Sequence, residues 1–197
     1  FVETAWPALK RLGLSPGASQ SNLKFTADIA QALAGVDLVQ ENGPERIDFK
    51  QKLYGQLDQL LPPDVIIASS SSGLTMSEIQ KGAASHPERC VIAHPFNPPH
   101  LIPLVEIVGG AKTSEATIRR AEDFYTSIGQ RTVRVNKEMP GHVANRLQAA
   151  LSREVYYLVA EGVVSAADVD TALSWGPGLR WGVMGGMMLN HLGGGPG

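Results

Sequence analysis

The sequence predicts an α/β fold, a mainly parallel sheet followed by part of an all-helical domain. Three observations point there. The run Asp64-Val65-Ile66-Ile67-Ala68-Ser69 shows almost no polar alternation, as expected for a strand buried on both faces. Apolar strand runs alternate with amphipathic stretches, the strand–helix–strand order of a parallel sheet. After Pro140-Gly141 strand candidates stop and helical periodicity takes over.

Taken in order, residues 1–12 read as a helix that stops at Gly13, with Pro7 marking a kink or a fresh start. Ser15-Pro16-Gly17-Ala18-Ser19 is a loop, and Leu23-Lys24-Phe25-Thr26 a short strand. Asp28 caps a helix that runs through Leu33 and ends at Gly35. Val36–Glu41 is the next strand. A long helix then runs to about Leu61, with Phe49, Leu53, Leu57 and Leu60 forming its expected apolar stripe. Pro62-Pro63 ends it and the buried strand follows.

Ser70-Ser71-Ser72-Gly73 is a turn of small residues, followed by a helix from Thr75 to Gly82. Cys90–Pro95 and Leu104–Val108 form two strands joined by a proline-rich turn. Ser114 and Glu115 begin a helix that runs to Ile128 and stops at Gly129, and Thr132–Val135 is a strand. Helices are expected over 142–160 and 166–174, and a loop over Gly193–Gly197. This places a domain boundary near residue 138, with a sheet domain over 1–138 and a helical domain beginning at 139. Phe1 opens in mid-helix and the last residues form a loop, so the chain reads as a piece of a longer protein.

At 43% hydrophobic over 197 residues, the chain can bury a substantial core. The net charge of −2 and the scatter of its basic residues argue against a general nucleic-acid or anionic-membrane binder. Cys90 is the lone cysteine and lies in an apolar run, where core packing is the expectation. Without a signal peptide or a long apolar span, a cytoplasmic location is expected.

The chemistry centres on the paired runs around Pro95-Phe96-Asn97-Pro98-Pro99. The first delivers His94 to its end, and the second carries Glu106 back. A histidine and a carboxylate on neighbouring strands can move a proton. A glycine-rich phosphate turn is not evident. Gly176-Pro177-Gly178-Leu179-Arg180-Trp181-Gly182 has the wrong spacing, follows a helix, and loses an amide at Pro177. His86, His100, His142 and His191 show no metal-ligand spacing and read as solvent or core residues, so no metal is expected.

Three segments together resemble the 3-hydroxyacyl-CoA dehydrogenase family. They are His94-Pro95-Phe96-Asn97-Pro98-Pro99 with Leu104-Val105-Glu106-Ile107-Val108, then Met139-Pro140-Gly141-His142-Val143-Ala144-Asn145-Arg146, and the turn Ala68–Leu74. The likeness runs from about residue 20 to residue 190. It implies a Rossmann-type NAD-binding domain whose first βαβ portion lies outside this chain, then the start of a helical substrate and dimerisation domain. It also implies NAD as cofactor and a homodimer.

By the same resemblance His94 is the general base, Glu106 its partner, and Ser72 and Asn145 hold the substrate oxygen. Glu45, Lys50, Ser72 and Asn97 are implied cofactor contacts. His142 stands where the family commonly has an aromatic residue.

The resemblance implies oxidation of a 3-hydroxy acid to a ketone. Two branches of the family look closer than the rest, those acting on L-carnitine and on L-gulonate. Among substrates the resemblance puts carnitine first, with a 3-hydroxyacyl-CoA or a sugar acid as alternatives, beside a non-catalytic, crystallin-like role. Phe96, Tyr156, Trp175 and Trp181 are candidates for an aromatic cage around a quaternary ammonium, and Arg180 for a carboxylate.

Overall fold

A computed structural model describes residues 1–194. It divides into two compact units, Phe1–Asn145 and Arg146–Gly197. The first unit opens with α1 (Val2–Leu12), which holds Pro7 and ends at Gly13, and α2 (Ile29–Ala32), capped by the Asp28 carboxylate. Its centre is a five-stranded sheet in sequential order: β1 (Leu38–Glu41), β2 (Ile66–Ser69), β3 (Cys90–Pro95), β4 (Leu104–Gly109) and β5 (Arg131–Val135). All neighbours run parallel except β3 and β4. The short turn between β3 and β4 forces that exception, because a parallel return needs a crossover of a dozen or more residues.

Side-chain alternation sorts the strand residues into two cores. Ile67, Cys90, Ile92 and Val108 face α3 (Ile47–Leu60) and α4 (Met76–Ile79), whose Tyr54, Leu57, Met76 and Ile79 pack on them. Ile66, Ala68, Val91, Ala93, Val105 and Ile107 face the other way, against Ala121 and Tyr125 of α5 (Glu115–Ser127). The same alternation puts Ser69, His94 and Glu106 on the α3/α4 side, at the carboxyl ends of β2 and β3 and beside them on β4.

The second unit is helical. It contains α6 (Ala144–Ala160) beyond its first turn, α7 (Ala166–Trp175), α8 (Pro177–Val183) and α9 (Gly186–Gly194). Ser165 caps α7 with its hydroxyl.

Three expectations need correction. Leu23–Thr26 is not a strand. It follows a short 3-10 turn, has no ladder partner among the described residues, and leaves Leu23 and Phe25 exposed. The expected loop at the end is helical as far as Gly194, and residues 195–197 lie outside the described residues. The buried stripe of α3 is also displaced. Phe49 and Leu60 are exposed, while Lys50, Tyr54, Leu57 and Asp58 are buried.

The displacement of α3 has an electrostatic cause. The Lys50 ammonium donates to both Glu41 oxygens at 2.9 and 2.8 Å. The Asp58 carboxylate accepts from Arg89 at 3.0 Å and from the Ser85 and His86 amides. The Arg89 guanidinium also donates to the backbone carbonyls of Asp58, Leu61 and Pro62. Burial alone would raise the Asp58 carboxyl, but the Ser85 amide, Arg89 and the His86 amide outweigh it and hold the carboxyl below its ordinary value. Each buried charge is therefore neutralised by a residue distant in sequence. Close approach completes the packing, since a Cβ on Gly82 would collide with the Gln51 backbone of α3.

Removing one partner of such a pair leaves an uncompensated buried charge. Asp58→Ala is expected to cost about 3–5 kcal/mol of unfolding free energy, read from urea denaturation. A loss below about 1 kcal/mol would show that Asp58 and Arg89 behave as a surface pair.

Candidate active site

His94 and Glu106 lie directly opposite each other in the β3–β4 ladder. This cross-strand register brings His94 Nδ1 to 2.9 Å from Glu106 Oε2. Both residues are buried, His94 at 7% and Glu106 at 1% exposure. The other carboxylate oxygen, Oε1, accepts from the backbone amides of Val143 and Ala144 at 2.8 and 2.9 Å. These amides are free to donate because they stand at the start of α6, where the first turn has no intrahelical acceptors. Burial alone would raise the Glu106 carboxyl, but the Ala144 amide, the His94 ring and the Val143 amide outweigh it and hold it below its ordinary value. An ionised carboxylate only accepts hydrogen bonds, so the proton of neutral His94 sits on Nδ1. Its Nε2 then carries the lone pair of a base.

The segment Met139–Ala144 clasps the site. The Gly141 amide donates to the Ser72 carbonyl at 2.9 Å, and His142 Nε2 lies 2.9 Å from the Ser71 carbonyl. Gly141 and His142 take left-handed φ values of 79° and 47° to make the turn. The His142 ring lies 5.1 Å from that of His94, centroid to centroid, at a 54° tilt. These contacts bring Ser72, His94, Glu106 and Asn145 to one end of the sheet. Ser72 and Asn145 are half-buried, Asn97 is exposed, and their side chains make no hydrogen bond among the described residues.

Glu45 sits beside the Ser70–Gly73 turn with its side chain 42% exposed. Its carboxylate accepts from Ser71 Oγ at 2.6 Å and from the amides of Gly73 and Leu74 at 2.7 and 3.1 Å. Burial raises its carboxyl, and these bonds together with the Lys50 charge bring it below its ordinary value. Lys50 lies behind this rim. Its ammonium is buried against Glu41, which also accepts from Ser69 Oγ at 2.6 Å, and it reaches Glu45 at 3.8 Å.

The candidate cage aromatics are divided between the two units. Phe96 is half-buried in the first. Tyr156, Trp175 and Trp181 are exposed in the second. Within that second unit, Arg180, Trp181, Leu189 and Asn190 line a recess of about 410 Å³.

Sequence reasoning missed the parts of the site that act through position. Glu41 and Ser71 looked like ordinary strand and turn residues, and the amides of Val143 and Ala144 carry no residue signal. His142 read as a solvent or core residue, yet it packs on His94. The available clue was Glu106 itself, a carboxylate in an apolar run, which needs more partners than one histidine can supply.

Residues 10–139 match the model described as 3-hydroxyacyl-CoA dehydrogenase, NAD binding domain, and residues 141–196 match the 3-hydroxyacyl-CoA dehydrogenase C-terminal domain. An L-carnitine dehydrogenase of Pseudomonas putida is 48% identical over 194 residues, 98% of this chain and 60% of that protein. A 3-hydroxyacyl-CoA dehydrogenase of Gibberella moniliformis is 51% identical over 177 residues, 90% of this chain and 55% of that protein. The crystal structure of 5-formyl-3-hydroxy-2-methylpyridine 4-carboxylic acid 5-dehydrogenase, an NAD+ dependent dismutase, superposes with a TM-score of 0.90. It is 41% identical, over 98% of this chain and 62% of that one. The chain thus spans about 60% of the length of the carnitine dehydrogenases it matches.

The rim at the strand ends presents polar groups that fit a cofactor such as NAD. The Glu45 carboxylate offers acceptors there, and Ser72 and Asn97 keep unengaged polar groups. Open α/β sheets bind ligands beyond the carboxyl ends of their strands. Among the described residues no glycine-rich turn follows a strand to hold the pyrophosphate. With both of its domain models matched in order along the sequence, the chain belongs to the 3-hydroxyacyl-CoA dehydrogenase family.

Proposed function

We propose that this chain forms the catalytic part of an NAD-dependent dehydrogenase that oxidises the hydroxyl of a 3-hydroxy acid to a ketone, with L-carnitine as substrate. The observation that carries the proposal is the buried His94–Glu106 pair, with the second Glu106 oxygen held by two backbone amides. His94 Nε2 takes the hydroxyl proton as the C–O bond becomes a carbonyl. Glu106 holds the ring in the required tautomer and balances the imidazolium that forms. Ser72 and Asn145 donate to the substrate oxygen, and both side chains suit a group that changes from alcohol to ketone. NAD, when bound, supplies the acceptor for the hydride that leaves the same carbon. Glu45, Ser72 and Asn97 hold that cofactor, with Lys50 supporting the rim from behind.

The L-carnitine choice is supported by the relatives named L-carnitine dehydrogenase and by a recess that pairs an aromatic ring, Trp181, with the cation Arg180. Trimethylammonium binds aromatic faces with roughly 0.5–2 kcal/mol, and a guanidinium pairs with carboxylate. A 3-hydroxyacyl-CoA substrate is the second reading, favoured by the Gibberella relative. Residues 139–197 begin a helical domain for substrate binding and homodimer pairing, and the protein works in the cytoplasm. Among the described residues no helix is long and apolar enough to cross a membrane.

Rates of the full-length protein on L-carnitine, 3-hydroxybutyryl-CoA and L-gulonate decide the substrate. L-carnitine should give the highest kcat/KM. No turnover on any of the three, with no NADH binding at millimolar concentration, would favour a non-catalytic role. His94→Ala should abolish turnover while circular dichroism stays unchanged, and activity within a few-fold of wild type would remove His94 from the chemistry.

Glu106→Gln is a sharper probe. Its amide oxygen would take the Val143 and Ala144 amides, turning its NH2 group toward His94 Nδ1 and driving the histidine proton onto Nε2. A fall in kcat on the order of 10³- to 10⁴-fold is expected, the size seen when a buried carboxylate that orients a catalytic histidine is neutralised. A fall below tenfold would sink the pair.

The same variant tests linkage. Because the Glu106 carboxyl is held below its ordinary value, its ionisation stabilises the fold fully above the unfolded glutamate range, near pH ~4.3. That contribution is lost as pH falls through the lower folded value. The stability gap between wild type and Glu106→Gln should therefore narrow as pH drops below ~4.3, and a gap independent of pH would contradict it.

A further inference from the structure

We infer that His142 is a positioning residue of the site, a second imidazole that packs on the His94 ring and ties the turn carrying Ser72 to it. The inference rests on the dehydrogenase reading above. His142 is 4% exposed and holds a left-handed φ of 47°, a conformation uncommon for residues other than glycine. Such a conformation persists where the surrounding contacts impose it. Three contacts do so here. Its backbone amide donates to the Met139 carbonyl, its Nε2 meets the Ser71 carbonyl, and its ring packs on His94.

The hydrogen bond decides the tautomer. A carbonyl can only accept, so His142 Nε2 carries the proton and Nδ1 is left with a lone pair. That Nδ1 is buried and has no partner among the described residues.

His94 faces the ring from β3, beside Glu106 on β4. From the β2 side the ring meets the Ser71 carbonyl, and the Ser71 hydroxyl is bound by Glu45.

The contact to Ser71 gives the ring its positioning role. It ties the Ser70–Gly73 turn, which carries Ser72, to the face of the base.

The test combines kinetics with histidine ring NMR on the full-length protein. His142→Phe keeps a ring against His94 but loses the donor to Ser71. Its kcat should fall about tenfold, the loss of one hydrogen bond of ~1.4 kcal/mol, with KM changed less than twofold. His142→Gln keeps a donor and should recover part of that kcat. In the wild type a nuclear Overhauser contact between the His142 and His94 rings and an Nε2–H tautomer for His142 are expected. Wild-type kcat in His142→Phe, no recovery of kcat in His142→Gln, or rings without that contact would overturn the inference. Should both variants fail to fold, the wild-type ring contact decides alone. A protein inactive on all three substrates with the ring contact present would sink the dehydrogenase reading and leave the packing standing. An active one without it would sink the positioning role only.

Discussion

The arrangement of this site depends on one carboxylate. Glu106 is nearly inaccessible to solvent, yet it is held ionised because every acceptor direction it needs is filled: His94 on one oxygen and the Val143 and Ala144 amides on the other. A buried carboxylate without these donors would be driven toward its neutral form. Neutral, it could no longer fix the proton of His94 on Nδ1. The His94 tautomer and the start of α6 are thus set by the same few hydrogen bonds.

Around that carboxylate the fold repeats one solution. Lys50 is buried against Glu41, and Arg89 against Asp58, each with further backbone partners. α3 turns these pairs to the sheet together with Leu53 and Leu57 of its expected stripe, and leaves Phe49 and Leu60 outside. Buried pairs are weak contributors to net stability but costly to break, so they act as register pins. One ties α3 to the end of β1, and the other ties it to the entry of β3, the strand that carries His94 near its end.

Much of the fold was legible in the residues. β2 and β3 are continuous apolar runs, α5 opens on a capping Ser114, and Gly129 closes it with a positive φ. The His94–Glu106 pairing was legible too, because a short proline-rich turn leaves two apolar runs little choice but to pair side by side. The Leu23–Thr26 segment was misread because a strand exists only where a ladder partner exists. Leu53 and Leu57 of the α3 stripe pack as expected, but Phe49 and Leu60 were misread because Lys50 and Asp58 are buried by partners, Glu41 and Arg89, that local periodicity does not see.

The sequence by itself determined the class of fold, the runs that form its five strands and the histidine and carboxylate that two of them bring side by side. Each of these follows from local patterns: apolar runs, caps, turn residues and a family likeness carried by contiguous motifs. The tertiary structure decided how Glu106 uses its second oxygen, where Lys50 sits, and that His142 lies on His94 and not in solvent. Those facts depend on backbone amides and on contacts such as that of Ser71 with His142, 71 positions apart in the chain. Geometry of that kind has no signature in residue types, because a free amide belongs to a helix start and not to any particular side chain.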